Sequence, residues 1–470
     1  MKIYNSLTRS KEEFIPVKSG NIGIYVCGPT VYDEPHIGHA RSAYIFDVIR
    51  RYLSGKHKVT FVRNVTDVDD KIIDKAKKES MAVEEVSKKY LDAYHRDMDL
   101  LGIARPDREP LATEYIPKMI KFIELLIERG CAYESAGDVY FDIRSAKGYG
   151  KLSNQDLDKM EIGTRPVRGD VSNGTRISPG ENKRDPLDFA LWKKAKEGEP
   201  SWDSPWGAGR PGWHIECSAM SSDILGDEFD IHGGGVDLIF PHHENEIAQS
   251  EGAGKTFARY WMHNGLLTID NEKMAKSLGN FISIKDFMLK HKDADYLKLL
   301  FLNTHYRHPV DYTEERMQEM KAQKERFVIM LDKIDRVKKK MDNKSQSPIG
   351  LLNEFRTRFE EAMDDDFNMP LALAHLFEMV NFTNRNIDDA NVAVSSKIIL
   401  LELSEIFGLN LVKKEAKDPQ AAKIEALIKE RDEARAKKDY KRSDEIREKL
   451  SGMGIIIEDT KEGTIWRTGF

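Results

Sequence analysis

Two short motifs combine residue types that suit phosphate chemistry. His36-Ile37-Gly38-His39 lies where a predicted strand gives way to a helix, so two imidazoles could donate hydrogen bonds beside converging backbone N–H groups. The loop Lys273-Met274-Ala275-Lys276-Ser277 carries two lysines three positions apart, which could neutralise a polyphosphate. Each motif alone has a simpler alternative: two ordinary turn histidines in the first case, and a solvated lysine-rich loop in the second.

Four further residues could together bind a metal ion. Cys27 ends the first predicted strand of the sheet, Cys217 lies in GWHIECSAM, and His242 and Glu246 lie four positions apart in PHHENE, which predicts one shared helix face. Two thiolates, one imidazole and one carboxylate form a plausible Zn²⁺ ligand set. Spacing alone leaves open that both cysteines only pack in the core, as we predict for Cys131.

The composition excludes several classes of protein. The chain has 470 residues, of which 32% are charged and 40% hydrophobic, which is typical of a soluble globular protein. No apolar run approaches the roughly 18–20 residues that a membrane span needs, and the first residues lack the apolar segment of a signal peptide. Three cysteines cannot form a disulfide framework, so we expect a cytoplasmic location. The net charge of −6 is not that of a protein that coats nucleic acid, although a local basic face would suffice for phosphate contacts.

The elements that must position these residues follow a strand–helix alternation, which predicts a parallel α/β sheet. The predicted strands are 22–27 and 59–66, and the predicted helices are 38–53, 69–101 and 113–130. Residues 148–186 are rich in Gly, Asn, Ser and Pro and indicate a long loop in an inserted, partly β region. The chain after about residue 310 has mainly helical periodicity, with a last helix over 419–450 and two closing strands.

Taken together, the first two motifs resemble those of the class I aminoacyl-tRNA synthetases, although Ala275 replaces a serine that is usual there. Longer strings resemble the cysteinyl-tRNA synthetase family from near the first residue to the last: YVCGPTVYDEPHIGHAR, NVTDVDDKII, GWHIECSAM, DIHGGGVDLIFPHHENEIAQS, KMAKSLGN, DDDFNMPLALAHLF and GIIIEDTKEGTIWR. One segment, 165–184, is longer than the family's usual loop, and no role is carried over to it.

The resemblance implies an α/β fold: a Rossmann-type parallel-sheet catalytic domain with an inserted subdomain, followed by a helical bundle and a small mixed anticodon-binding tail. The domain boundaries that we predict are 1–118 and 210–257 for the two catalytic halves, 119–209 for the inserted connective subdomain, 258–320 for the stem-contact region, 321–412 for the bundle and 413–470 for the tail.

The resemblance also implies a two-step reaction. The carboxylate of L-cysteine attacks the α-phosphate of ATP, and the terminal ribose hydroxyl of tRNA(Cys) then takes the cysteinyl group from the adenylate. The substrates supply the nucleophile and the leaving group, so the protein has to position them and stabilise charge, with Mg²⁺ bound to ATP. The residues implied for ATP and catalysis are His36, Gly38, His39, Gly233, Gly234, Asp237, Lys273 and Lys276.

By the same resemblance, Cys27, Cys217, His242 and Glu246 would hold one Zn²⁺ that accepts the substrate thiolate. Because soft sulfur is preferred to an alcohol, the metal would separate cysteine from serine without an editing domain. The residues implied for the amino-acid pocket are Thr30, Trp213 and His232, and those for the anticodon are Arg435, Tyr440, Asp444 and Asp459. We expect a monomer.

Three other functions are weighed against this one. A zinc-dependent cysteine:glucosaminyl-inositol ligase of mycothiol synthesis resembles the same catalytic half, but it should lack the helical and anticodon-binding tail. A secondary cysteine persulfide synthase activity would use pyridoxal phosphate on Lys71 and Lys276. A purely structural or RNA-binding module is disfavoured, since it would need neither a metal ligand set nor phosphate loops.

Overall fold

The computed structural model describes residues 1–157, 182–274, 279–338, 350–412, 421–437, 439–460 and 463–468. Lys276 and most of the 165–184 segment lie outside these described residues. The chain divides into two compact units, Met1–Leu411 and Val412–Phe470, and each is described by itself.

The first unit mixes strands and helices over its described ranges. Its strands are β1 (Lys2–Asn5), β2 (Ser10–Glu13), β3 (Asn21–Val26), β4 (Lys58–Arg63), β5 (Ala132–Ser135), β6 (Asp138–Phe141), β7 (Phe189–Lys194), β8 (Gly209–Pro211), β9 (Glu228–Gly235), β10 (Phe257–Asn264), β11 (Leu267–Ile269), β12 (Glu272–Lys273) and β13 (Val310–Tyr312). Its α-helices are α1 (Ile37–Ser54), α2 (Asp70–Glu79), α3 (Val83–Leu100), α4 (Ile116–Glu128), α5 (Trp213–Leu225), α6 (Glu244–Gly252), α7 (Ile284–His291), α8 (Ala294–Leu302), α9 (Glu314–Lys338), α10 (Gly350–Asp364), α11 (Met369–Arg385) and α12 (Ala390–Ile406).

A parallel sheet in the order β10-β9-β3-β4 confirms the predicted α/β class. The central strand β3 pairs on both sides, with Ile24 opposite Phe61 of β4 and Ile231 of β9. The chain runs from β3 to β4 in one direction and reaches β9 and β10 in the other, so the order reverses beside β3. A crevice at the carboxyl ends of the strands is expected at such a reversal.

Helix α1 explains how the first motif is held in place. Its apolar positions recur at helical spacing, and Ile37, Ala40, Tyr44 and Val48 are all buried in the main core. The helix therefore packs firmly and holds its first turn beside the end of β3.

The predicted helical run over 69–101 is wrong in one respect, because it is two helices. Ser80 ends α2 in the left-handed region, with φ of 53°, and α3 begins after Ala82. Helical periodicity continues across the break, which explains why the sequence pattern does not show it.

The inserted region contains an antiparallel sheet in the order β5-β6-β7-β8, which agrees with the predicted partly β character. A small sheet in the order β12-β11-β13 follows the main sheet. Helices α9 to α12 come next, and their buried residues are continuous with the core around α1. No helix in the described ranges combines the length and apolar character needed to cross a bilayer.

The second unit contains α13 (Ala421–Ala436), α14 (Tyr440–Gly452) and a hairpin of β14 (Ile455–Thr460) and β15 (Gly463–Thr468). The single helix predicted over 419–450 is therefore wrong, while the two closing strands are confirmed. Both helices and β14 contribute to a small apolar core of their own, formed by Ile424, Leu427, Ile428, Ile446, Leu450 and Ile455.

Candidate active site

The turn at His36–His39 arranges its two imidazoles as a stacked pair. The ring centroids lie 3.7 Å apart, and His36 caps α1 by accepting the N–H of Gly38 at its Nδ1 atom (3.1 Å). The backbone N–H of His36 in turn donates to Nδ1 of His39 (3.3 Å). Since each Nδ1 accepts a hydrogen bond, each ring carries its proton on Nε2.

Burial lowers the pKa of His39 to about 4, with a smaller contribution from the charge of Lys71. The His39 ring is therefore neutral near pH 7. A neutral ring protonated on Nε2 acts as a hydrogen-bond donor, which is the property that phosphate oxygens require.

The chain that follows the lysine motif lies beside this turn. Ile37 donates its N–H to the carbonyl of Ile282, and Ile284 donates to that of Pro35, so the chain just beyond the lysine loop is paired with the histidine turn. Lys273 ends β12, and its carbonyl accepts the side-chain amide of Asn280 (3.0 Å).

The predicted metal ligands come from four separate elements and meet in the interior. Cys27 follows β3, Cys217 lies on α5, His242 lies in the irregular turn Ile239–His243, and Glu246 lies in the first turn of α6. One donor atom from each lies within 4.8 Å of all the others. His242 precedes the regular helix, which differs from the predicted shared helix face, yet its Nε2 is only 3.0 Å from Glu246 Oε1.

The separations between these donors fit a tetrahedral zinc site. Zn–S bonds of about 2.3 Å and Zn–N or Zn–O bonds of about 2.0 Å imply edges of about 3.8 Å for S–S, about 3.5 Å for S–N or S–O, and about 3.3 Å for N–O. Here Cys27 Sγ is 3.5 Å from Cys217 Sγ and 3.5 Å from Glu246 Oε1, and Cys217 Sγ is 3.6 Å from His242 Nε2. The described residues therefore fit the ion in both donor chemistry and spacing.

Without a cation, burial favours the neutral form of every member of this group. It raises the pKa of Cys217 to about 11, raises those of Cys27 and Glu246, and lowers that of His242. A divalent ion bound here would displace the thiol protons, so its binding is coupled to proton release.

Two buried histidines, His214 and His232, form hydrogen bonds with the ligands His242 and Glu246 and orient them. His214 Nδ1 lies 2.9 Å from His242 Nδ1, and His232 Nε2 lies 2.8 Å from Glu246 Oε2. Since Nε2 of His242 faces the cluster, its Nδ1–H donates to His214, whose pKa is lowered by burial to about 3 and which stays a neutral acceptor. Such outer hydrogen bonds fix the ring and tautomer of a metal ligand.

The sequence prediction did not include His214, although a signal for it was present. It lies three residues before Cys217 on the same helix, so helical spacing places both side chains on one face.

The residues predicted for the amino-acid pocket lie around the same cluster. The Trp213 ring stacks on His242 with centroids 4.0 Å apart, and the His232 ring stacks on Trp261 at 4.5 Å. Thr30 is bridged to Thr66 at the carboxyl ends of β3 and β4. The structure thus brings all three predicted residues to one edge of the sheet, while their contact with substrate stays a prediction.

Close packing explains two of the predicted ATP-site glycines. A Cβ atom at Gly233 would lie 2.3 Å from the Phe46 ring, and one at Gly234 would lie 2.9 Å from the His243 ring. Packing alone therefore requires glycine at both positions, and their nucleotide contact stays a prediction. Burial raises the pKa of Asp237, and the nearby charge of Lys273 opposes that shift.

The four predicted tRNA contacts all lie in the second unit. Arg435, Tyr440 and Asp444 are exposed, Tyr440 by 63%. Asp459 pairs with Arg435 (2.5 Å) and accepts two hydrogen bonds from the buried Arg431, at 2.7 and 2.8 Å. Arg431 was not among the predicted residues, and these bonds hold the Asp459 carboxylate in a fixed orientation.

Three family models match the chain in succession. The model described as tRNA synthetases class I (C) catalytic domain covers residues 13–322, the DALR domain covers 358–412, and the cysteinyl-tRNA ligase anticodon binding domain covers 420–467. The last match disfavours the mycothiol alternative, which should lack such a tail.

Similar proteins span the whole chain. The cysteine–tRNA ligase of Coxiella burnetii is 48% identical over 479 residues, covering 99% of this chain and 100% of the relative. That of Finegoldia magna is 46% identical over 473 residues, covering 99% of both. The solved structure of Mycobacterium tuberculosis methionyl-tRNA synthetase in complex with methionyl-adenylate matches with a TM-score of 0.61 at 16% identity, covering 87% of this chain and 94% of that one. This last likeness shows the fold alone.

Proposed function

Because this chain belongs to the cysteinyl-tRNA synthetase family of class I ligases, we propose that it joins L-cysteine to the 3′ end of tRNA(Cys) through cysteinyl-adenylate. The observation that carries the proposal is that Cys27, Cys217, His242 and Glu246 meet in the interior. Cys27 directly follows β3, and the histidine turn lies between β3 and α1. This arrangement supports a site that selects a thiol and activates the carboxylate of the same molecule.

In the first step, the carboxylate oxygen of cysteine forms a bond to the α-phosphorus of ATP while the bond to pyrophosphate breaks. His36 and His39 would donate from Nε2 to phosphate oxygens, and Lys273 and Lys276 would neutralise the departing pyrophosphate together with Mg²⁺. Asp237 would accept a hydrogen bond from the ribose. In the second step, a ribose hydroxyl of the tRNA terminus attacks the carbonyl carbon and AMP leaves.

Cys27, Cys217, His242 and Glu246 would hold one Zn²⁺, which when bound supplies a Lewis-acidic acceptor for the substrate's sulfur. Trp213 would close the pocket over the side chain, since its ring already stacks on His242. Thr30 and His232 would line the rest of the pocket. Arg435, Tyr440, Asp444 and Asp459 would contact anticodon bases by hydrogen bonds and stacking.

The persulfide synthase activity stays a secondary prediction. Lys71 lies in the first turn of α2, with its Nζ atom 5.3 Å from the centre of the Tyr32 ring, and Lys276 lies outside the described residues. A Schiff-base absorbance band that is lost in Lys71→Ala would support the activity. The same band in both proteins would contradict a role for Lys71.

Exchange of labelled pyrophosphate into ATP tests the main proposal. We expect exchange that depends on cysteine, no comparable exchange with serine, and one zinc per chain in freshly purified protein. Transfer to tRNA(Cys) should follow in the same preparation. Equal activation of serine, or protein that lacks zinc yet is fully active, would overturn the proposed mode of selection.

A further inference from the structure

A short segment of the inserted region, residues 149–155, lies against α6, which carries the proposed ligand Glu246, and against the turn before it, which carries His242. We call this segment the strap. Tyr149 donates its hydroxyl to Asn245 Oδ1 (2.5 Å), and Lys151 pairs with Glu251 at the other end of α6. Leu152 is buried in the core that contains α5 and α6. The strap thus contacts α6 at both ends.

The central contact is a buried carboxylate. Glu244 is 1% exposed and accepts the backbone N–H of Ser153 at 2.7 Å and that of Leu152 at 3.5 Å. Among the described residues no lysine, arginine or histidine lies within ion-pair distance of this carboxylate, so its hydrogen bonds there come from these backbone donors, at the N-terminus of α6. Glu244 begins α6 and lies between the two ligands in sequence, so holding it fixes the junction between the turn that carries His242 and the helix that carries Glu246.

The shape of the strap is specified locally. Gly150 has φ of +91°, and a Cβ atom there would lie 2.0 Å from the carbonyl oxygen of Gln155, so only glycine fits. Tyr149 also packs edge-on against Phe240, two residues before His242, with ring centroids 6.5 Å apart. The strap therefore contacts the ligand turn on the His242 side as well as on the Glu246 side.

We propose that the strap is a positioning element for the metal centre, acting through Glu244 and Asn245, and that it sets zinc affinity and cysteine affinity. This inference rests on the proposed function, since it concerns the same centre. The strap thereby gives the inserted region a role in amino-acid selection. Loss of the outer hydrogen bonds that hold metal ligands usually lowers metal affinity by about 10–100-fold.

The test compares Glu244→Ala, Glu244→Gln and Tyr149→Phe with the control Lys151→Ala in the full chain. Lys151 belongs to the same strap, but its ion pair with Glu251 is exposed, so we expect the control to match wild type. We expect Glu244→Ala to lose about tenfold or more in zinc affinity, measured by competition with a chromophoric chelator. The KM for cysteine should rise by a similar factor while the KM for ATP stays within about twofold.

Glu244→Gln keeps one acceptor and should lie between wild type and Glu244→Ala. If Glu244→Ala does not fold, Tyr149→Phe should still show the same selective pattern with a change of about threefold. Unchanged zinc affinity in these variants, or equal changes in the cysteine and ATP constants, would overturn the strap proposal. Wild-type protein that neither binds zinc nor activates cysteine would instead overturn the proposed function, so the two failures are distinguishable.

Discussion

At the scale of single residues, the metal ligands were foreseeable from the sequence mainly through resemblance. Cys27 and Cys217 are far apart in the chain and lack the short spacing of a structural zinc motif, so only the folded sheet brings their sulfurs to 3.5 Å. The residues that form hydrogen bonds with the proposed site residues were harder to predict. His214 lies on the mainly apolar helix α5, and Arg431, which holds Asp459, lies on the charged helix α13. The importance of both residues comes from their burial, which a sequence pattern does not give.

Cys217→Ser tests whether Cys217 acts as a metal ligand or only packs in the core. The Cys217 side chain is 1% exposed and its sulfur contacts both Cys27 and His242, so an oxygen in its place weakens zinc binding. We expect substoichiometric zinc by elemental analysis and a fall in cysteine-dependent exchange of about 10²-fold, the scale of one lost transition-state contact.

Cys131→Ser is the matched control, because the Cys131 sulfur lies 3.8 Å from the backbone carbonyl oxygens of Arg129 and Gly252 and does not belong to the proposed ligand group. We expect its zinc content and exchange rate to match wild type. Similar losses in both variants would mean that Cys217 acts in packing and not as a ligand.

At the scale of secondary structure, element types were largely predictable and internal breaks were not. The strands and helices around the histidine turn follow clear periodicity, whereas the break between α2 and α3 depends on a single backbone conformation. Ser80 adopts a left-handed φ of 53° without the glycine that usually marks such a helix end. The two helices of the second unit were merged by the sequence prediction for a related reason, because charged residues continue across the turn before Tyr440.

Ser80→Gly should stabilise the first unit. A side chain in the left-handed region costs about 1 kcal/mol, and glycine removes most of this cost at an exposed helix end. We expect the free energy of unfolding in urea to rise by about 0.5–1 kcal/mol with no change in exchange activity. Lys78→Gly, at an exposed position in the last turn of α2, should instead lower it by about 0.5–1 kcal/mol. A fall in both variants would show that Ser80 makes a stabilising contact of its own.

The lysine loop should serve activation and not folding. Lys276→Ala removes a cation that we expect to neutralise the leaving pyrophosphate, so pyrophosphate exchange should fall by about 10²–10³-fold while the melting temperature changes little. Lys290→Ala is the control, since that lysine pairs with Glu314 on the outside of α7. Exchange within about threefold of wild type in Lys276→Ala would contradict the phosphate role.

At the scale of the whole molecule, the topology explains why residues distant in sequence meet. The strand order reverses beside β3, and the carboxyl ends of the parallel strands β3, β4 and β9 lie at the same edge of the sheet. Cys27, Thr66 and Gly233 lie at or near these ends. The core is continuous from α1 through the bundle helices. The second unit has its own apolar core, which suggests that the two units can be separated by truncation.

A chain ending at Val412 should therefore keep the first reaction step and lose the second. The apolar core of the first unit extends to Leu411, which is buried, so truncation beyond it leaves that core intact. The cut removes all four residues that we propose for the anticodon. Binding of tRNA should weaken greatly, because contacts with single-stranded bases supply much of the affinity and discrimination of such complexes.

We expect cysteine-dependent exchange within about threefold of the full chain, and aminoacylation of tRNA(Cys) lower by about 10²-fold or more at equal enzyme concentration. Adding tRNA to saturation should recover part of the transfer rate, because the catalytic groups remain and only affinity is reduced. If exchange and aminoacylation fall by the same factor, the second unit is required to form the catalytic site, and the proposed division of labour between the two units is wrong.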